Sequence, residues 1–269
     1  MRARIVGAVL LALAALPAGL AGQADVLPRA HAHNDYLHAR PLLDALEHGF
    51  NSVEVDVHLV EGELLVAHDP DEVVRGRTLE ALYLEPLRAR ARRNGGSVHA
   101  GAPPLLLLVD LKTEAEATYA RLSEVLRGYA DVLTIVAGEA VLPGAVTVVL
   151  SGERPRETLL AAPIRFAAYD GRLADLEGAG AELPVSFMPL VSQSWSAVSK
   201  WDGKGDEPPE LRTTLRRWAD LAHSQGRRLR FWGSPDEPAV WKALLESGVD
   251  LINTDDLPGL RSFLGRSAH

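Results

Sequence analysis

The chain has 269 residues, 47% of them hydrophobic, enough to bury a large core. Its formal net charge of −8 leaves no basic stripe for nucleic acid, so no nucleic-acid partner is expected. With no cysteine, neither a disulfide nor a lipidated cysteine is available, and any metal site must use oxygen and histidine ligands.

Met1 to Arg4 carries two arginines, Ile5 to Leu20 is uncharged and apolar, and small residues follow at Gly19, Ala21, Gly22 and Ala24. This is the layout of a secretory signal peptide, predicted to span residues 1–24 and to be removed. The apolar run is short for a bilayer span, so no stable membrane anchor is expected. Removing this segment, which holds two arginines and no acid, takes the formal charge from −8 to −10. A secreted or periplasmic chain is predicted, with residues 25–269 as one domain.

After the signal, Val26 to His33 reads as a short strand ending in His31 and His33. Leucines 42, 43 and 46 mark a helix over Pro41 to His48, closed by Gly49. From Ser52 to Leu59, Val53, Val55, Val57 and Leu59 alternate with Glu54, Asp56 and His58, which puts Glu54 and Asp56 on one face of a strand. Turned into a barrel, two bare carboxylates repel unless a cation neutralises them. Glu61-Gly62 makes a turn, and Leu64 to Ala67 returns to His68.

A helix is predicted over Leu79 to Arg93, and Leu105 to Val109 is a continuous apolar run, as a parallel strand buried on both faces would be. That run ends in Asp110-Leu111-Lys112, and Thr113 is read as the cap of a helix from Glu114 to about Gly128. Asp131 to Gly144 reads as a small hairpin or an irregular connection. Further strands are predicted at Val146 to Leu150, Arg165 to Tyr169, Val185 to Val191, Arg228 to Trp232 and Val249 to Asn253. Helices are predicted near Arg156 to Ala161, Glu210 to Ser224 and Asp236 to Ser247, and from Leu257. Ser192 to Pro209, with Trp195, Lys200, Trp201 and Lys204, is too long for a minimal connector and reads either as a lid or as a decorated surface loop.

Eight strands alternating with helices predict an α/β protein, a (β/α)8 TIM barrel. Polar residues recur where its strands end: His31 and His33, Glu54 and Asp56, Asp110 and Lys112, Ser151, Tyr169-Asp170, Gln193, Trp232, and Asn253 to Asp255. In a barrel these positions converge on one mouth, the usual place of an active site. Glu54, Asp56 and Asp110 are three oxygen ligands for a hard divalent cation, Mg²⁺ or Ca²⁺. Histidines beside a bound phosphate can exchange protons with it.

The run GFNSVEVDVHLVEGELLVAHD resembles the core motif of glycerophosphodiester phosphodiesterases, within the phospholipase C-like phosphodiesterases. LLLLVDLK and RLRFWGSPDEPAVWKALLESGVDLINTDDL resemble later segments of that family, and HAHNDY with Asp110 is closest to its "altered inheritance of mitochondria" subgroup. Asp-Leu-Lys-Thr also resembles spider-venom type sphingomyelinase D. The resemblance implies a phosphoric diester hydrolase acting on a glycerophosphodiester or phospholipid-type substrate. It implies Glu54, Asp56 and Asp110 as metal ligands, His68 as one catalytic histidine and His31 or His33 as the other, with His31 favoured. Lys112 and Trp232 become substrate-binding residues, with Tyr169 and Trp201 as further candidates. The chain departs from the family in two ways: it lacks the family's His-Arg-Gly, and with it the arginine that helps hold phosphate, and Asp110 stands for a glutamate. Two other readings stay open: a non-catalytic binding protein on the same barrel, and an amidohydrolase-like metallohydrolase, on account of His-x-His.

Overall fold

Val, Ile and Leu runs short enough for strands, separated by amphipathic helices, assemble here into a barrel of eight parallel strands. The structure, a computed structural model, describes residues 25–267; the expected signal segment lies outside the described residues. The barrel strands are β1 (Ala30–Ala32), β2 (Ser52–Val60), β3 (Leu105–Leu111), β4 (Val146–Gly152), β5 (Ala167–Gly171), β6 (Leu190–Ser194), β7 (Arg228–Trp232) and β8 (Ile252–Thr254). Each pairs with its predecessor in the chain from β1 to β7, and β8 pairs with β1. A parallel bridge between Arg230 and Leu251 joins β7 to β8 and brings the ring nearly to closure. Around it lie α1 (Leu43–Glu47), α2 (Glu85–Arg93), α3 (Ala115–Arg127), α4 (Arg156–Ala161), α5 (Leu211–Ser224), α6 (Pro238–Glu246) and α7 (Leu257–Ser267). Among the described residues, no helix is long and apolar enough to cross a membrane.

Two cores follow from the period of two along each strand. Outward residues such as Val53, Val55, Leu107, Val109 and Val148 pack against the helices. Inward residues Leu106, Leu108, Val149, Ala168, Leu190 and Leu251 fill the lower barrel. The register then stacks a polar layer on this apolar plug: Glu54 lies beside Leu108, Asp56 beside Asp110, Asp110 beside Ser151, Ser192 beside Arg230, and His31 beside Asn253. Glu63–Val66 returns antiparallel to β2 and delivers His68 to the same end.

Several elements differ from the sequence reading, each for a local reason. The sixth strand starts at Leu190 rather than Val185, because Pro184 and Pro189 break the ladder and residues 184–188 turn back with Phe187 and Met188 N–H on the Pro184 carbonyl. The helix expected from Leu79 opens with a widened π turn over Glu80–Leu84 before α2. Pro86 has no N–H to return to Leu82, and its ring crowds that carbonyl. Glu114, not Thr113, caps α3, its carboxylate accepting the Glu116 and Ala117 N–H groups. Thr113 instead accepts the Leu59 N–H and shares a bond with Thr118. The segment 131–144 is a hairpin of Ile135–Ala137 and Ala140–Leu142, completed by Ile164–Arg165.

Candidate active site

A cavity of about 230 Å³ opens at the C-terminal ends of the barrel strands. His33, Asn34, Glu54, His68, Asp110, Lys112, Ser151, Arg172, Arg230 and Trp232 line it. Glu54, Asp56 and Asp110 each bring a carboxylate oxygen within 4.8 Å of the other two. Alternation on β2 and the Asp56–Asp110 register between β2 and β3 cause this convergence.

Each carboxylate has a different environment. Burial alone pushes Glu54 up, but Arg230 Nη2 at 2.8 Å and His31 Nε2 at 3.1 Å outweigh it and hold the carboxyl well below the usual range. Asp56 is 1% exposed, and its Oδ2 accepts three donors: Tyr36 OH at 2.8 Å, Lys112 Nζ at 2.9 Å and His68 Nδ1 at 2.9 Å. Its Oδ1 is buried with no hydrogen-bond partner among the described residues. Asp110 is raised by burial and by Asp56 and Glu54, against Lys112 Nζ at 3.2 Å from its Oδ1. Burial lowers the Lys112 ammonium, but Asp110 and Asp56 outweigh it and raise it.

An unpartnered buried carboxylate oxygen beside two further carboxylates is the donor set of a hard divalent cation, so the residues present fit Mg²⁺ or Ca²⁺. Lys112 supplies part of the neutralising charge in the same place.

The two first-strand histidines separate by depth. His31 is fully buried, its Nδ1 2.7 Å from Ser52 Oγ and its Nε2 on Glu54. Burial, reinforced by Arg230, lowers it to about 3, so it is a neutral ring donating from Nε2 to Glu54. It has no nitrogen left for a ligand. His33, two residues on, reaches the cavity with Nδ1 on Asp255 at 2.8 Å. Burial lowers His33, but Asp255 and Glu54 outweigh it and raise the ring. His68, half exposed, has the same arrangement, with Nδ1 on Asp56 and Nε2 left to face the cavity.

The sequence-predicted ligand-contact residues divide in the same way. Lys112 and Trp232 line the cavity; Tyr169 and Trp201 do not. On β5 the inward positions are Ala168 and Asp170, so Tyr169 points outward, buried against Phe187 with ring centroids 5.3 Å apart and Arg154 over its other side. Trp201 packs on the outer core, its indole N–H held by the Lys204 carbonyl, while its own carbonyl takes the Trp195 N–H. The loop around it is seated by Gly203, whose missing Cβ leaves room for Glu237 and Val240. It lies on α6, and none of its residues lines the cavity.

Sequence reasoning missed Arg172, Arg230 and Tyr36. Arg172 is two residues past Asp170 and Arg230 two before Trp232, so strand parity alone placed both arginines inside.

The AIM6-like phosphodiesterase domain matches residues 22–170, more than half of the chain. The chain belongs to the AIM6-like phosphodiesterase family. Residues 228–258 also match the glycerophosphoryl diester phosphodiesterase family. "Altered inheritance of mitochondria protein 6" of Eremothecium gossypii is 32% identical, across 91% of this chain and 72% of that protein. The Arthroderma benhamiae homolog is 28% identical over 87% of this chain and 82% of its own length. Crystal structures of glycerophosphodiester phosphodiesterases share the barrel. That from Parabacteroides distasonis has a TM-score of 0.54 at 16% identity, covering 92% of this chain and all of that one. That from Agrobacterium tumefaciens has a TM-score of 0.53 at 19% identity, covering 89% and all of that chain.

Proposed function

We propose that this family member hydrolyses a phosphodiester of the glycerophosphodiester or phospholipid type, using His33 and His68 as its proton-transfer pair. The observation that carries the reading is the pair of histidines on one cavity, each with Nδ1 tied to a carboxylate, beside three converging acids. Glu54, Asp56 and Asp110 would hold a Mg²⁺ or Ca²⁺ ion. A cation bound there supplies electrostatic stabilisation for the charge that builds on the phosphoryl oxygens.

The residues of the chain divide the remaining work. Asp255 stabilises the imidazolium of His33, which suits His33 to protonate the leaving alcohol from Nε2. His68, oriented by Asp56, takes the proton of the attacking oxygen, from water or from a neighbouring substrate hydroxyl. In the second case a cyclic phosphate forms. Tyr36 fixes Asp56 and lies 3.4 Å from His68 Nδ1, which holds that ring in place. His31 acts from below as the brace of Glu54 and not as the acid or base. Lys112 contacts a phosphoryl oxygen, and Trp232, 41% exposed at the rim, covers the apolar part of the substrate.

We also read residues 1–24 as a cleaved signal followed by a single domain, with the protein acting outside the cytoplasm. N-terminal sequencing of the exported chain tests this.

The direct test is an assay of the purified protein on glycerophosphodiesters and on choline- and inositol-containing phospholipids, with and without chelator, followed by phosphorus NMR of the products. Chelator-sensitive release of alcohol is expected. No turnover on any of them, together with no bound metal, would sink the reading.

A further inference from the structure

We infer that Arg230 grips the phosphate of the substrate, with Arg172 at the end of β5 as a second cation for the same group. The inference rests on the phosphodiesterase reading for its substrate, but on separate observations for its geometry.

Arg230 projects inward from β7 and its side chain is 3% exposed. Its Nη2 donates to Glu54 at 2.8 Å, while Nε and Nη1 are buried with no hydrogen-bond partner among the described residues. Arginine cannot escape that position by losing its proton. A guanidinium whose whole task was to neutralise Glu54 would meet it with two parallel bonds, the arrangement a planar fork favours. This one spends a single nitrogen on Glu54, and it lines the cavity together with Glu54, Asp110, His33 and His68. Two unpartnered buried donors on a side chain that lines a small cavity suit a ligand with several anionic oxygens, such as a phosphate, once the guanidinium turns toward it.

Arg172 is held differently. Its Nη1 donates to Asp170 Oδ2 at 3.0 Å and to the Gly171 carbonyl at 3.0 Å, and its Nη2 lies 3.5 Å from Ser151 Oγ. Asp170 is fixed in turn by Ser192 at 2.7 Å and Ser151 at 3.2 Å. Arg172 and Arg230 both favour the Asp170 carboxylate against its burial. In the His-Arg-Gly pattern the cation follows the first-strand histidine; here Ala32 or Asn34 occupies that position. The barrel interior is a ring, so β5 and β7 can deliver the same charge to the same space.

The competing explanation is that Arg230 is a brace for Glu54 and nothing more. Arg230→Lys separates the two, because it keeps a cation beside Glu54 and removes the spare donors. Calorimetric binding of inorganic phosphate to the wild type, Arg230→Lys and Arg172→Gln, in Mg²⁺ buffer and in chelator, is run beside Mg²⁺ titrations of each protein. Arg230→Lys is expected to bind phosphate about ten- to a hundred-fold more weakly, the worth of a charged hydrogen bond, with Mg²⁺ affinity changed about twofold or less. Arg172→Gln, whose side chain is 32% exposed and whose amide can still donate to Asp170, is expected to lose phosphate affinity by roughly three- to ten-fold.

Unchanged phosphate affinity in both variants overturns the inference. So does a parallel loss of Mg²⁺ and phosphate in Arg230→Lys, which would make the arginine a brace. If Arg230→Lys does not fold, unchanged phosphate binding by Arg172→Gln is decisive against the clamp. A wild type that cleaves phosphodiesters but binds no phosphate at millimolar concentration refutes the clamp and leaves the function standing. Phosphate binding without turnover does the reverse.

Discussion

Lys112→Met is the substitution that most directly tests whether the three carboxylates hold an ion. The Lys112 ammonium lies 2.9 Å from Asp56 and 3.2 Å from Asp110, and it is 26% exposed against 1% for Asp56. Removing one partner of a buried pair costs about 3–5 kcal/mol. The partial exposure of Lys112, and the Tyr36 and His68 bonds that stay on Asp56, reduce this to about 2–3 kcal/mol. A divalent ion at the same oxygens replaces the lost charge. In the wild type it competes with the ammonium, and in the variant it does not. The variant is therefore expected to bind the ion roughly 30- to 150-fold more tightly, which is about 2–3 kcal/mol by linkage. Urea unfolding of both proteins in chelator, then across Mg²⁺ and Ca²⁺ titrations, reads the effect. The stability gap should close as the ion rises, and the ion that closes it at lower concentration is the one the site prefers. A gap that stays constant at every ion concentration would show that Glu54, Asp56 and Asp110 do not form a cation site.

His68→Ala should lower kcat by about 10²- to 10⁴-fold, the usual worth of a general acid or base, while the metal stays bound; full activity would refute the histidine assignment. Asp255→Asn withdraws the carboxylate that raises His33, so the imidazolium should be lost at lower pH and the alkaline limb of the pH–rate profile should move acidwards. An unmoved limb would exclude His33 as the acid. For stability, His31 is lowered to about 3, so between pH 6.5 and 3 the unfolded chain binds a proton that the folded chain refuses, and stability is lost as pH falls through that window, by up to about 5 kcal/mol. Asp35 runs the other way: burial raises it to about 6, so the folded chain holds the extra proton between pH 3.8 and 6, worth about 3 kcal/mol on the acid side. Asp35→Asn should therefore steepen the acid loss seen in a pH series of urea melts, and an unchanged slope would contradict the raised carboxyl.

How much was legible in the sequence follows from what a linear pattern can encode. Parallel strands buried on both faces leave apolar runs, so the eight-strand ring and its order were readable, as was the Glu54–Asp56 face. Asp110 followed because it ends such a run. Depth was not readable. His31 and His33 share a parity and so share a face, and what separates them is the pairing of Ala32 with Val53 and Thr254, contacts that the local sequence does not contain. Tyr169 was misplaced by a strand end: read as the terminus of a strand from Arg165 it seemed to face the mouth, but β5 runs to Gly171 and puts Asp170 inside.

The arginines show a different kind of failure. In the family motif the phosphate-binding arginine follows the first-strand histidine along the chain, and Ala32 or Asn34 stands there instead. A barrel interior has no such linear order, because a residue at the right parity and height on any strand faces the same axis. Arg230 has that parity through Trp232, and Arg172 through Asp170. Both were visible as arginines inside or just beyond a strand, where a cation is costly unless something anionic meets it. Glu54 accounts for one nitrogen of Arg230, and Asp170 fixes Arg172. The unpaired remainder of Arg230 points to a ligand that the motif, read as a string, had declared without its cation.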